Sequence, residues 1–402
     1  MKNKIRVFIL FLFIQLGYAQ DKQVIYYLQD IITKKPIQNA NITFQNSSLG
    51  TVSNDEGAFQ LESKSNVEFT ISHLEYKKYT LKLSDSDLNN DSKIIYLEQN
   101  TVELEDVIVT KEPIEQFLLK AINISKAKFN KPIVLNTYYR EFVKVNDKYT
   151  RFTDGLIDFH MNGNTKKTDA DLIVNQSRAA KLISEDDETL DLASGLDVRN
   201  ATTKQYNFYN LEKILFDSDN YEDYDFELKS KINKSGTETY IINFQPKADL
   251  KKYLYKGTVV FDPNTYLISD LEIASDQANI QYTKVINILI IKASLLDLKL
   301  KSSFKVSNGN YLLSFTSRKG KIKIWNKKKY NEIIEYKSDL VVTDYKKDDL
   351  TYNKKSVYND RSLYERGNQY TDKFWLKNNS MVLTDEEQQV ITRLEQESSK
   401  VK

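Results

Sequence analysis

Apolar and polar residues alternate at a period of two in one short run after another, the pattern of β-strands with one face buried and one face wet. Ile42 and Phe44 alternate with Asn41, Thr43 and Gln45, and Val67, Phe69 and Ile71 repeat the pattern. Between Val24 and Glu98 several such runs, from VIYYLQD to KIIYLEQ, are joined by polar turns, and this spacing predicts a seven-stranded β-sandwich. Pro36, which has no N–H to give a ladder, sits in Thr33-Lys34-Lys35-Pro36-Ile37, and Ser53-Asn54-Asp55-Glu56-Gly57 supplies a tight turn. With 26 Tyr and 19 Phe against 11 Gly and 5 Pro, strands are favoured over disorder.

From Pro113 to Asn130 the period changes to that of a helix, with Ile114, Phe117, Leu118, Ala121, Ile122, Ser125 and Phe129 on one face. Strands return after Pro132 and persist to about Tyr345 as a large antiparallel set. Its best-marked hairpins turn at Asp262-Pro263-Asn264-Thr265 and at Asn308-Gly309-Asn310. The stretch from Ser177 to Asn220 breaks the pattern and is expected to hold short helices, and Thr384 followed by Glu387 opens a capped terminal helix. The chain of 402 residues therefore reads as a signal peptide over 1–19, a sandwich over 21–98, a linker and amphipathic helix over 99–132, an antiparallel β domain over 133–350 and a tail over 351–402. The fold class is mainly β: an N-terminal seven-stranded β-sandwich plus a larger curved antiparallel β domain with a few helices.

The leader reading rests on Lys2, Lys4 and Arg6, the apolar run from Val7 to Leu16 and the small residues Gly17 and Ala19, with cleavage expected after Ala19. That run is half of the roughly twenty residues a membrane-spanning helix needs, so no transmembrane segment is expected in the mature chain. There is no Cys, so neither a disulfide nor a thioether-linked lipid is available, and the cores must be large enough alone. Removing the leader turns a formal charge of +2 into about −1, with Lys and Asp/Glu interspersed, which excludes a basic nucleic-acid binder.

The series D-x-x-T-x-x-P-I-x-x-A-N-I from Asp30 to Ile42, then G-T-V-S-N-x-E-G-x-F from Gly50 to Phe59, then an apolar strand and Tyr76, resembles the carboxypeptidase-regulatory-like domain. Val102 to Thr110 is similar to the segment that closes this domain. The resemblance implies an accessory module found in Gram-negative outer-membrane receptors and related exported proteins, and it implies no peptidase activity. Tyr138 to Phe142 and the GxVxFDxxTYLI pattern from Gly257 to Ile268 resemble the curved sheet of lipoprotein carriers. Phe374 to Asn379, with Leu383, Thr384 and Glu386, resembles a motif of uncharacterised exported envelope proteins that add an outer-membrane barrel, and no barrel is expected here.

No catalytic, cofactor or metal site is expected. Catalytic zinc needs three ligands, mostly His, and the chain offers only His73 and His160, outside any HExxH pattern. A nucleophile with a His base lacks both Cys and GxSxG. Asp85, Asp87, Asn89 and Asp91 alternate like calcium ligands, but Asn90 and Tyr96 stand where an EF-hand needs Gly and Glu. Glu185 to Glu188 reads as a solvated acidic turn, and Arg318-Lys319-Gly320-Lys321 as a basic turn. Tyr139, Arg140 and Glu141, with Asp154-Gly155 as a turn in the next hairpin, read as a structural ion pair before they read as the rim of a cleft, and a ligand or partner site in the second domain is to be sought there first. The functional expectation is a non-enzymatic envelope protein, periplasmic or outer-membrane associated, that binds an outer-membrane protein. A carrier of lipid or another apolar ligand is the alternative, and a carboxylate-dependent hydrolase a distant third.

Overall fold

A computed structural model describes residues 23–44, 50–62, 68–73, 75–83, 92–99, 106–107, 110, 112–129, 131–163, 167–181, 195–216, 221–232, 236, 238–288, 291–327, 331–369 and 381–399. The leader, the acidic loops at 85–91 and 185–188 and the motif at 374–379 lie outside them.

The N-terminal part is a sandwich of two sheets. One has the order β4-β1-β7, from β4 (Ala58–Glu62), β1 (Gln23–Asp30) and β7 (Ser92–Leu97); the other has the order β3-β2-β5-β6, from β3 (Gly50–Val52), β2 (Asn41–Phe44), β5 (Glu68–His73) and β6 (Tyr76–Lys82). Alternation does the sorting: Val24, Tyr26 and Leu28 point inward from β1 to meet Phe59, Phe69 and Ile71. The Tyr26 and Phe59 rings stack 5.2 Å apart. The turn at Asn54 is held by its Oδ1, which accepts from the N–H of Glu56 and Ala58 at 2.9 and 2.8 Å. Gly57 closes it at φ 73°, and a Cβ there would lie 2.4 Å from the Leu28 carbonyl oxygen.

The second part is one antiparallel sheet. The strands are β8 (Asp106–Val107), β9 (Ile133–Val145), β10 (Lys148–Gly163), β11 (Thr168–Lys181), β12 (Tyr224–Ile232), β13 (Glu238–Pro246), β14 (Tyr255–Phe261), β15 (Ile268–Ser275), β16 (Ile286–Ile288), β17 (Ile291–Ser307), β18 (Asn310–Trp325) and β19 (Asn331–Lys346). Their order is β11-β10-β9-β19-β18-β17-β15-β14-β13-β12-β8, with β16 paired to β17. β8 comes from the stretch between the sandwich and the helix, so that stretch supplies an edge strand as well as a linker.

Both marked hairpins form. Asp262 Oδ1 accepts from the N–H of Asn264 and Thr265 between β14 and β15, and Asn308 and Gly309 take φ 47° and 72° between β17 and β18, as a two-residue turn requires. Two sequence expectations fail. Asp154-Gly155 is no turn: it lies mid-β10, with Asp154 opposite Arg140 and Arg178. Asn146 and Asp147, both with positive φ, make the turn, and Gly155 is small because a Cβ would sit 2.5 Å from the Gln176 carbonyl oxygen. Arg318-Lys319-Gly320-Lys321 is no turn either, but the middle of β18, paired on both sides.

The sheet is covered on both faces. On one, the helical face, α1 (Ile114–Lys128), α2 (Asn200–Tyr206) and α3 (Leu211–Phe216) close the main core, with Leu118, Ala121, Ile122 and Ser125 of α1 buried as its stripe predicts. Phe129 stands at the centre, its ring 4.0 Å from Tyr206 and 4.7 Å from Tyr311, with Phe304 and Phe208 about it. The sandwich rests on the other face, beside α4 (Asp385–Ser399), which packs Val390, Ile391 and Leu394 against Phe142 and Phe152.

Candidate functional site

Along β9 the pleat sends Tyr138, Arg140 and Phe142 to the sandwich face, and Tyr139 and Glu141 to the helical face. The four residues of the sequence constellation therefore divide into two clusters. Arg140 does not pair with Glu141.

Arg140 is wholly buried. Its Nε donates to Asp339 Oδ2 at 3.0 Å, and its Nη1 donates to Glu387 Oε2 at 2.9 Å. Glu387 belongs to the predicted capping box of α4: its Oε2 accepts from the Thr384 N–H at 3.0 Å, and its own N–H donates to Thr384 Oγ1 at 3.1 Å. Lys337 Nζ then bridges Glu387 Oε1 and Asp55 Oδ2 of the sandwich, 2.8 Å from each. Sheet, terminal helix and sandwich meet in one charged network. Beside it Asp154 takes two hydrogen bonds from Arg178, at 3.1 and 2.7 Å, and one from the Tyr138 hydroxyl at 3.1 Å. Burial opposes the charge on Arg140, but Glu387 and Asp339 outweigh it and hold the guanidinium more firmly protonated than usual. Burial likewise opposes the Glu387 charge, and Arg140 and Lys337 overcome it, holding that carboxyl below its ordinary range.

On the helical face, Glu141 Oε2 accepts from the Tyr139 hydroxyl at 2.7 Å and from the Leu196 N–H at 3.0 Å. Burial pushes this carboxyl up. Arg318 reaches the Asp197 carbonyl oxygen at 3.0 Å and the Tyr139 hydroxyl at 3.3 Å. Gly195, at φ 87°, passes so close that a Cβ would lie 2.4 Å from Glu141 Oε1. The cluster seats the loop that leads into α2. Both clusters are buried, and their side chains hold elements together. Sequence reasoning missed Asp339, Lys337 and Arg178, which reach Arg140 and Asp154 across strands distant in sequence; Glu387 was legible as a cap but not as an ion-pair partner.

The two histidines are far apart in use. His160 lies against the Tyr352 ring at 4.0 Å, and His73 Nδ1 accepts from the Glu75 N–H at 3.1 Å. Among the described residues no group of three or more His, Cys, Asp or Glu could hold a metal ion. His73 is pulled down to about 4 by burial and by Lys301. Its folded value lies below the unfolded one of about 6.5, so stability is full above pH 6.5 and falls as pH drops from 6.5 towards 4. His73→Gln should flatten the melting temperature across that window; an unchanged slope would contradict the assignment.

A cleft of about 700 Å³ lies between the two parts, walled by Gln38, Asn39, His73 and Tyr76 of the sandwich and by Thr258, Asp270 and Lys301 of the sheet. The sandwich also shows an apolar outer patch. Ile94 and Tyr96 face outward from β7, 47% and 42% exposed, and Ile31 and Ile32 follow β1 at 40% and 78%. β7 pairs with β1 on one side; on the other, the Gln99 to Tyr76 bridge, the Lys77 N–H to Glu98 carbonyl bond and the Lys77–Glu98 ion pair tie the end of that strand to β6.

Residues 28–109 match the CarboxypepD_reg-like domain. The matched stretch takes in all of the sandwich beyond the start of β1 and continues through β8. No curated protein matches the chain. Among solved structures, a DUF1329 family protein from Desulfovibrio piger is similar at 10% identity, over 62% of this chain and 100% of that one, with a TM-score of 0.27. A LolA superfamily protein from Nitrosomonas europaea is similar at 10% identity, over 56% of this chain and 93% of that one, with a TM-score of 0.18. Both scores are too low to equate the folds. Among the described residues no helix is long and apolar enough to cross a membrane.

Proposed function

We propose that this is a non-enzymatic, exported envelope protein that works by binding, with the CarboxypepD_reg-like domain docking onto an outer-membrane protein. The observation that carries the reading is the outer patch of that domain. Ile32, Ile94 and Tyr96 lie exposed about β7, which among the described residues is an edge strand laddered to β1 alone, and an edge strand flanked by exposed apolar side chains is a template for an added strand. The Arg140 network supports a rigid mount, since it ties the sandwich to a sheet that does not need to flex for the patch to be reached.

The apolar-carrier alternative has less support, because Phe129 and its aromatic neighbours occupy the helical face where an acyl chain would lie. For a hydrolase, the buried acids Asp154, Asp339 and Glu387 are each paired with an arginine, so none of them is a free carboxyl for a substrate. Ile32→Asp with Tyr96→Asp should move the protein from the outer-membrane fraction of its host to the soluble fraction, with the melting temperature unchanged. Continued sedimentation with the membrane would count against the patch.

A further inference from the structure

The cleft between the sandwich and the sheet has no part in that docking surface. Its volume, about 700 Å³, falls within the range of small-molecule sites, roughly 300–1,000 Å³, but its lining is unlike that of an apolar ligand site. Amide and hydroxyl side chains line both walls, Gln38, Asn39 and Tyr76 on the sandwich and Thr258 and Ser269 on the sheet; Thr258 Oγ1 donates to Asn243 Oδ1 at 2.9 Å and Ser269 Oγ to the Val260 carbonyl at 3.4 Å, which leaves each hydroxyl oxygen to accept. The charges present are largely spent. Asp270 Oδ1 accepts from Ser303 Oγ at 2.7 Å, and Glu272 pairs with Lys299 at 3.0 Å. His73 is neutral at physiological pH, its value pulled down to about 4 by burial and by Lys301. The lining carries one lysine, Lys301, beside the acids Glu75, Asp270 and Glu272, so it holds no surplus of positive charge to draw an anion. Ile37, Val260 and Phe304 add apolar surface to the wall. Donors and acceptors in mixed order, with no net positive charge and some apolar wall, suit a ligand whose groups both donate and accept and which also has C–H faces.

We propose that the cleft binds a neutral polyhydroxylated ligand, a short saccharide, held between the two domains. The walls are preformed. Ser314 Oγ lies 3.5 Å from Asn41 Oδ1 across the junction, and the Lys337 bridge fixes the far side of the sandwich, so little ordering is required on binding.

Titration of the full mature chain with maltotriose, cellotriose and chitotriose, read by saturation-transfer NMR and calorimetry, tests this. At least one trisaccharide should bind saturably with a Kd of about 1 mM or tighter, and Gln38→Ala with Thr258→Val should weaken it by about tenfold or more. Gln38→Ala alone, at a solvent-facing position, serves if the double variant melts early. Sialyllactose, of similar size but anionic, should bind more weakly than the best neutral trisaccharide. Absence of binding by all three, binding that survives both variants, or preference for the anionic sugar would each overturn the proposal. Ile32→Asp with Tyr96→Asp should leave saccharide binding intact, so the docking reading and this one fail separately.

Discussion

Arg140→Ala is expected to destabilise the protein by about 3–5 kcal/mol, the range found when one partner of a buried ion pair is removed. The reason is what remains. Asp339 and Glu387, both buried, would lose the guanidinium that holds them at 3.0 and 2.9 Å. Lys337 would still reach Glu387, but Asp339 would have lost its Nε and Nη2 partner. Arg140→Lys should recover only part of the loss, because an ammonium cannot fork between two carboxylates. Replacing Arg140, Asp339 and Glu387 together by Met, Asn and Gln should restore much of it, since the cost lies in uncompensated charge rather than in missing attraction. Urea unfolding gives these differences, and limited proteolysis of α4 shows whether the terminal helix leaves first. A loss under about 1 kcal/mol for Arg140→Ala, the size of an exposed pair, would mean that the network does not bind the three parts together.

Phe129→Ala should cost a similar amount, about 3–5 kcal/mol, for a different cause: lost transfer energy plus an unfilled cavity. The ring touches side chains from α2, the turn after it, β17 and β18, so few neighbours can collapse into the gap without moving another element. Phe129→Leu should cost less than half as much, because it keeps most of the volume. Thermal unfolding reads both. The same variant probes the carrier alternative. A fluorescent fatty acid should not bind the wild-type chain, and if it binds with a stoichiometry near one the helical face is not the closed core that these rings describe.

The sequence announces the parts of this molecule more clearly than their assembly. Alternation in VIYYLQD and ANITFQ is a local property, and so are the stripe from Ile114 to Phe129 and the Thr384 to Glu387 box; each survives into the structure because the residues concerned act within one element. Asp154-Gly155 misled because Asp-Gly is good turn chemistry, while its actual duty, a close approach to Gln176 of the neighbouring strand, is invisible without the pairing. Arg140 next to Glu141 misled in the same way. Adjacent residues on a strand face opposite sides, so the partners of Arg140 had to come from other strands and from the terminal helix; Asp339 and Glu387 lie 199 and 247 residues away. The exposed patch on β7 was present in KIIYLEQ as alternation with apolar residues on both faces, but which face is open depends on where the sandwich rests.

The most direct test of the docking reading is site-specific photo-crosslinking in the native host, with a photoreactive residue in place of Tyr96 and, as a control, one in place of Glu395 on α4. The account predicts an adduct with an outer-membrane protein from the Tyr96 position, lost when Ile32→Asp is added and absent from the Glu395 position. Adducts from Glu395 alone, or none from Tyr96 while the protein stays in the envelope, would contradict it.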